Sequence, residues 1–161
     1  MIKRILHKPT AVEPVPFTKD GYEKIEQEQK DLLLERVGAI VHLQKSRELG
    51  DLKENGYYQA SRQKVNAIDA RLRRIKFLLK YGVVLSSAHS GKVDIGSSVV
   101  LKQDKDTFTY QIVGGEESNP SEGKISHRSP LGRAILGKKV GDKVQLDVPA
   151  GVIHYTLEKI F

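Results

Sequence analysis

Gly50-Asp51-Leu52-Lys53-Glu54-Asn55 is a glycine followed by a short acidic run, and a long apolar-periodic segment lies on each side of it. Upstream, Tyr22, Ile25, Leu32, Leu33, Val37, Ile40 and Val41 recur at three- and four-residue steps. Downstream, Val65, Ile68, Leu72, Ile75 and Leu79 fall at spacings of 3, 4, 3 and 4, the pattern of a coiled-coil seam. Two helices of similar length joined by a tight turn are expected to pack antiparallel. At 1.5 Å per residue, about 30 residues make a rod of roughly 45 Å. The expected architecture is therefore a long hairpin that carries negative charge at its tip, residues 50–55.

Working outward, Thr18 is a suitable N-cap for the first helix and Gly50 a suitable stop. Gly38 weakens the first helix by about 1 kcal/mol relative to alanine without breaking its pattern. Residues 1–17 contain Pro9, Pro14 and Pro16 and are expected to form an extended arm. From Tyr81-Gly82 onward the apolar period changes from helical to alternating. Ile95–Leu101 and Thr107–Val113 are expected to form a hairpin about Asp104-Lys105-Asp106. Ile125-Ser126 is expected to open a further strand. Ser129 caps a short helix that begins at Pro130, and Lys143–Val148 and Val152–Ile160 close the chain as a second hairpin. The fold class is α+β. Three units are expected: an arm, residues 1–17; an antiparallel coiled-coil hairpin, 18–81; and a small, mostly antiparallel β domain with one short helix, 82–161.

Composition narrows the functional classes. The 161 residues contain no cysteine, which excludes disulfides and thiolate metal sites. The five histidines, at 7, 42, 89, 127 and 154, lack ligand spacing and are expected to be structural or exposed. No stretch approaches the ~20 apolar residues of a membrane span, and the first residues are too short in apolar content for a secretory signal. A cytoplasmic protein is expected. The net charge of +7 is concentrated in residues 55–81, where seven basic residues face one acid, Asp69. At 100° per residue Arg62, Arg73, Lys76 and Lys80 share one flank, the footprint of a nucleic-acid contact or simply of a solvated helix face. The β domain shows no nucleophile constellation and no phosphate loop.

Asp51 and Glu54 stand three residues apart. If the second helix starts there, Asp51 at the N-cap and Glu54 at N3 form a capping box. The alternative is a partial magnesium site. Two carboxylates hold Mg²⁺ only when a partner supplies the remaining oxygen ligands, as in two-metal phosphodiester chemistry.

The run Ser46–Asn55 followed by Tyr58 resembles the tip signature of the Gre transcript-cleavage factors of bacterial RNA polymerase. Ser129-Pro130-Leu131-Gly132-Arg133-Ala134-Ile135-Leu136-Gly137-Lys138, with Val140-Gly141-Asp142 and Pro149-Ala150-Gly151, is similar to the C-terminal signature of the same family. Pro16-Phe17-Thr18 with Gly21 and Tyr22 matches the start of its first helix. The resemblance spans roughly residues 15–161. It implies a coiled coil that enters the polymerase secondary channel and an FKBP-like C-terminal domain that docks at the channel rim. It implies that Asp51 and Glu54 help hold a Mg²⁺ shared with the polymerase, no cofactor being bound stably by the chain itself. The polymerase's own active site then cuts backtracked RNA near its 3′ end, and the factor is an activator rather than an enzyme. Asn55, Tyr58, Ser129 and Pro130 are the implied polymerase contacts, and a monomer is expected. The chain departs from the family at Gly56-Tyr57, where an acid usually precedes the tyrosine. That loss and the added arm motivate a second expectation, a channel-binding inhibitor without cleavage stimulation. A third is a coiled-coil adaptor with a peptide-binding domain.

Overall fold

The computed structural model of the chain describes residues 13–49, 55–85, 91–149 and 151–161. Strand β1 (Val15–Phe17) leads into helix α1 (Lys19–Glu48), and α2 (Gly56–Tyr81) runs directly into β2 (Gly82–Val84). Then follow β3 (Ser98–Gln103), β4 (Asp106–Val113), two 3-10 turns (Gly115–Glu117 and Pro120–Glu122), β5 (Lys124–Ser126), α3 (Pro130–Ile135), β6 (Lys143–Val148) and β7 (Gly151–Ile160).

The two long helices form the antiparallel hairpin, with their register fixed by polar cross-links. Tyr22 Oη donates to Leu79 O at 3.2 Å at the base. Moving outward, Glu28 pairs with Arg71 at 2.6 Å and Glu35 with Lys64 at 3.0 Å, and His42 Nδ1 meets Tyr57 Oη at 3.1 Å. As one number rises the other falls in step. The seam between them is built from Ile25, Ala39, Ser46, Ser61, Val65, Ile68, Ile75 and Leu78, all buried, with Leu32, Leu43 and Leu72 packed alongside. Three of these eight buried residues, Ala39, Ser46 and Ser61, are small.

The seam departs from the sequence expectation in two places. On α1 the inward stripe is Tyr22, Ile25, Leu32, Ala39, Ile40 and Leu43, whereas Leu33, Val37 and Val41 face solvent. One partner helix covers only one face, so an apolar period wider than one stripe cannot all be buried. On α2 the fully buried residue of the last turns is Leu78, with Leu79 half-buried beside it.

The sheet has the order β5-β4-β3-β7-β6. All neighbours run antiparallel except β5, which pairs with β4 in parallel after a crossover through the 3-10 turns. β3 begins at Ser98 rather than Ile95, yet Ile95 is still buried, in the loop that leads into the strand. Val99, Leu101, Ile112, Val144, Tyr155 and Leu157 form the core face, and Ile135 of α3 closes it. Ile153, Tyr155 and Leu157 share that face, as their alternation predicts.

The hairpin is joined to the sheet at its base. β1 pairs with β2 in parallel, Val15 to Gly82 through Phe17 to Val84, so the last arm residues close the hairpin's open end. Phe17 is fully buried against Ile25, Ile75 and Leu78 and meets Tyr22 edge-on, with centroids 5.8 Å apart. Glu117, on the first 3-10 turn, then reaches the N-terminus of α1. Its carboxylate accepts from Thr18 N at 2.9 Å, from the Thr18 hydroxyl, and from Gly114 N at 3.3 Å. Thr18 Oγ1 in turn accepts from Gly21 N at 3.1 Å. The fit is close: a Cβ on Gly21 would lie 1.9 Å from Glu117 Oε2, and one on Gly114 would lie 2.0 Å from Pro16 O. Beside this, Arg74 of α2 pairs with Glu116 at 2.5 Å.

Glu117→Ala is expected to cost on the order of 1–3 kcal/mol, because it strips three donors of their acceptor at a partly buried helix start. Gly114→Ala should destabilise as well, since the obstacle is backbone and β1 must move. Urea unfolding of the full chain measures both.

Candidate functional site

The far end of the hairpin is organised by Asn55. It is the N-cap of α2: its Oδ1 accepts from Tyr58 N at 3.2 Å, while its Nδ2 donates to Ser46 O of α1 at 3.2 Å. Ser46 is fully buried and its hydroxyl donates to Leu43 O at 2.8 Å. One side chain thus starts the second helix and ties it to the end of the first. This corrects the capping-box expectation for Asp51 and Glu54. Asparagine caps as well as aspartate does, and here it also reaches across the hairpin, so α2 starts at Gly56 with no acid in its first turn. Asp51 and Glu54 themselves lie outside the described residues. Asn55, an implied polymerase contact, also has both ends of its side chain hydrogen-bonded within the chain. Tyr58 is half-buried at the same level.

Along α2 the basic residues sort into two classes. Lys64, Arg71 and Arg74 are ion-paired to Glu35, Glu28 and Glu116, acids on α1 and the first 3-10 turn. Asp69, the acid in this stretch, is taken by Arg36 of α1 at 2.6 Å. The hydrogen bond from the Arg36 guanidinium holds the Asp69 carboxyl below its usual range, and the nearby Arg73 charge adds to this. Arg62, Arg73, Lys76 and Lys80, the four placed on one flank by the sequence, are exposed, and among the described residues none forms an ion pair. Lys80 instead lies over the Tyr81 ring, 5.2 Å from its centroid, and Tyr81 packs on Phe77 with centroids 4.8 Å apart. The flank is therefore a line of exposed cations without close ion pairs among the described residues, Arg73 being near enough to act on Asp69, and it ends in two aromatic rings.

In the sheet domain, Ser129 is a helix cap. Its hydroxyl accepts from Gly132 N at 3.0 Å and donates to Ser126 O at 2.7 Å. Gly132 is required there, because a Cβ would lie 2.1 Å from Ser126 O. The capping locks α3 beneath an exposed corner formed by Arg128 and Pro130. The residues that sequence reasoning missed are Thr18 and Glu117 as a pair. They are 99 positions apart, and no local pattern links them.

Among the described residues no group of three or more histidine or acidic side chains could hold a metal ion. No helix among them is long and apolar enough to cross a membrane.

Comparison with known proteins gives a consistent result across the chain. Residues 15–84 match the family described as "Transcription elongation factor, N-terminal", and residues 88–161 match "Transcription elongation factor, GreA/GreB, C-term". A relative from Chlorobium phaeovibrioides, named transcription elongation factor GreA, is 40% identical over 91% of this chain and 96% of its own length. One of the same name from Nautilia profundicola is 41% identical over 90% of this chain and 93% of its own. Among solved structures, GreA factor homolog 1 of Thermus thermophilus aligns over 92% of this chain and 99% of its own, with 29% identity and a TM-score of 0.45.

Two outcomes follow from the hairpin's polar links. Asn55→Ala should lower stability by about 1 kcal/mol through loss of the cap, and unfolding followed by helical circular dichroism reads this. Asp69 has a carboxyl depressed in the folded state, so its contribution is present above the unfolded carboxylate range and is lost as pH falls through and below it. Wild type should exceed Asp69→Asn in urea midpoint at pH 7, with the gap closing in acid.

Proposed function

The chain belongs to the GreA/GreB family of transcription elongation factors, and we propose that it acts by inserting its hairpin into the secondary channel of bacterial RNA polymerase to stimulate cleavage of backtracked RNA. The observation that carries this reading is the sorting of charge along the rod. Three of the hairpin's acids, Glu28, Glu35 and Asp69, are taken up in cross-links between the helices, the exposed Arg62, Arg73, Lys76 and Lys80 form no ion pair among the described residues, and Asp51 and Glu54 fall in the sequence between the two helices.

In this reading the chain is not a nuclease by itself. Asp51 and Glu54 supply two oxygen donors toward a Mg²⁺ whose other ligands come from the polymerase, which agrees with a donor set too small to hold the ion alone. When bound, that ion would lower the pKa of an attacking water and stabilise the charge that develops at the cleaved phosphodiester. The segment that contains the two carboxylates joins the far ends of α1 and α2 in the sequence, and α1 at 30 residues is about 45 Å long. Asn55, the residue after Glu54, caps α2 and fixes its start at Gly56. Arg62, Arg73, Lys76 and Lys80 face phosphates of the extruded RNA. The sheet domain, through the corner at Ser129 and Pro130, remains outside and supplies docking surface. The partners are the polymerase and the RNA 3′ end, and the compartment is the cytoplasm. The names of the relatives favour an elongation factor over a channel-binding inhibitor.

RNA cleavage in stalled, backtracked complexes tests the reading. Asp51→Asn or Glu54→Gln should abolish stimulated cleavage while polymerase binding stays near wild type. Wild-type cleavage by either variant would remove the ligand role. Charge reversal at Arg73 and Lys76 should weaken activity on deeply backtracked complexes and flatten its salt dependence, since fewer counterions are released.

A further inference from the structure

Helix α1 carries a second heptad stripe on the side away from α2. Lys30, Leu34, Val37, Val41, Gln44 and Glu48 follow one another at steps of 4, 3, 4, 3 and 4. All six are exposed, and the apolar ones heavily so: Leu34 is 74% exposed, Val37 65% and Val41 43%, with Leu33 at 51% on the stripe's edge. A surface helix ordinarily shows charge on this side. Gly38 sits within the stripe, and a Cβ there would meet nothing within 4 Å. An exposed mid-helix glycine costs about 1 kcal/mol against alanine. It does, however, let another helix approach closely at that level.

The order of residues along the stripe names the occupant. It runs from a cation, Lys30, through Leu34 and Val37, then Val41 and Gln44, to an anion, Glu48. Reversed and laid against itself about the level of Ala39, it pairs Lys30 with Glu48, Leu34 with Gln44 and Val37 with Val41. Each pairing occurs twice, as a two-fold axis requires. Among the described residues neither Lys30 nor Glu48 has an ion-pair partner within the chain. Gly38 lies next to the axis, where two backbones would be nearest.

We propose that the outer stripe of α1 is a self-complementary surface on which two copies of this chain associate antiparallel through Leu34, Val37 and Val41, flanked by Lys30–Glu48 pairs. The proposal does not depend on the reading of the hairpin as a polymerase ligand. With three or four apolar side chains per copy the interface is at the small end of the specific range, and dissociation constants of about 10–100 µM are expected.

Sedimentation equilibrium of the full chain, without polymerase, from about 1 µM to about 1 mM tests this. The mass should rise from 18.0 kDa toward twice that value. Val37→Glu should weaken association at least roughly tenfold with helical content retained. Lys30→Glu should weaken it, and the double variant Lys30→Glu/Glu48→Lys should restore it, because the swapped charges meet again across the axis. A single 18.0 kDa species throughout would overturn the proposal. So would association that Val37→Glu leaves intact, or a double variant no stronger than Lys30→Glu. A monomeric chain whose Val37→Glu form binds polymerase more weakly would assign the stripe to the polymerase instead.

Discussion

The carboxylate of Glu117 sits where α1 begins, and the orientation of everything beyond it depends on that contact. A helix N-terminus exposes unpaired N–H groups and a partial positive charge, and an anion satisfies both. Thr18 already caps α1 from within, so Glu117 adds to the cap from the other end of the chain rather than replacing it. Around it further contacts restrict movement. β1 is zipped to β2, Phe17 is sunk into the base of the hairpin, and Gly114 brings its backbone to within a Cβ's width of Pro16. The same short turn also provides Glu116 for Arg74, so adjacent acids brace both helices.

Away from the base the hairpin has little core. Two helices bury one stripe each, and toward the far end that stripe includes Ala39, Ser46 and Ser61. Specificity of register therefore comes largely from polar links, each modest because exposed ion pairs contribute little individually. This division has a consequence for charge. Glu28 and Glu35 of α1 pair with Arg71 and Lys64 of α2, and the cations one step further around form no ion pair among the described residues. The basic flank is what is left over once the register has been set.

Most of this was legible in the sequence. Heptad spacing located α2, Thr18 and Ser129 announced their helices, and alternation located β4, β6 and β7. The four flank residues share a face by angle alone and are the basic residues of α2 that form no ion pair among the described residues. The failures have physical causes. Period analysis does not separate the inward stripe of α1 from a second apolar stripe on the same helix, so exposed Leu33, Val37 and Val41 fall in one periodic set with the residues that face α2. Asp51 competed with Asn55 for the cap, and the cross-hairpin bond to Ser46 that favours Asn55 is invisible in one dimension. The parallel pairing of β1 with β2 and the Glu117 contact join residues far apart in the chain, and nothing near either partner signals them.

The length of the hairpin turns its base into the fulcrum of a lever. A rotation of about 5° at the joint sweeps the far end of a ~45 Å rod through about 4 Å. Placing a reacting group within ~0.5 Å would demand an angular tolerance of about half a degree. A few hydrogen bonds around one carboxylate do not confer that stiffness. The joint can aim the rod but cannot finish the alignment. If the far end acts as proposed, the last ångströms would have to be imposed by the partner that encloses it, and the hairpin's own part would be to stay straight.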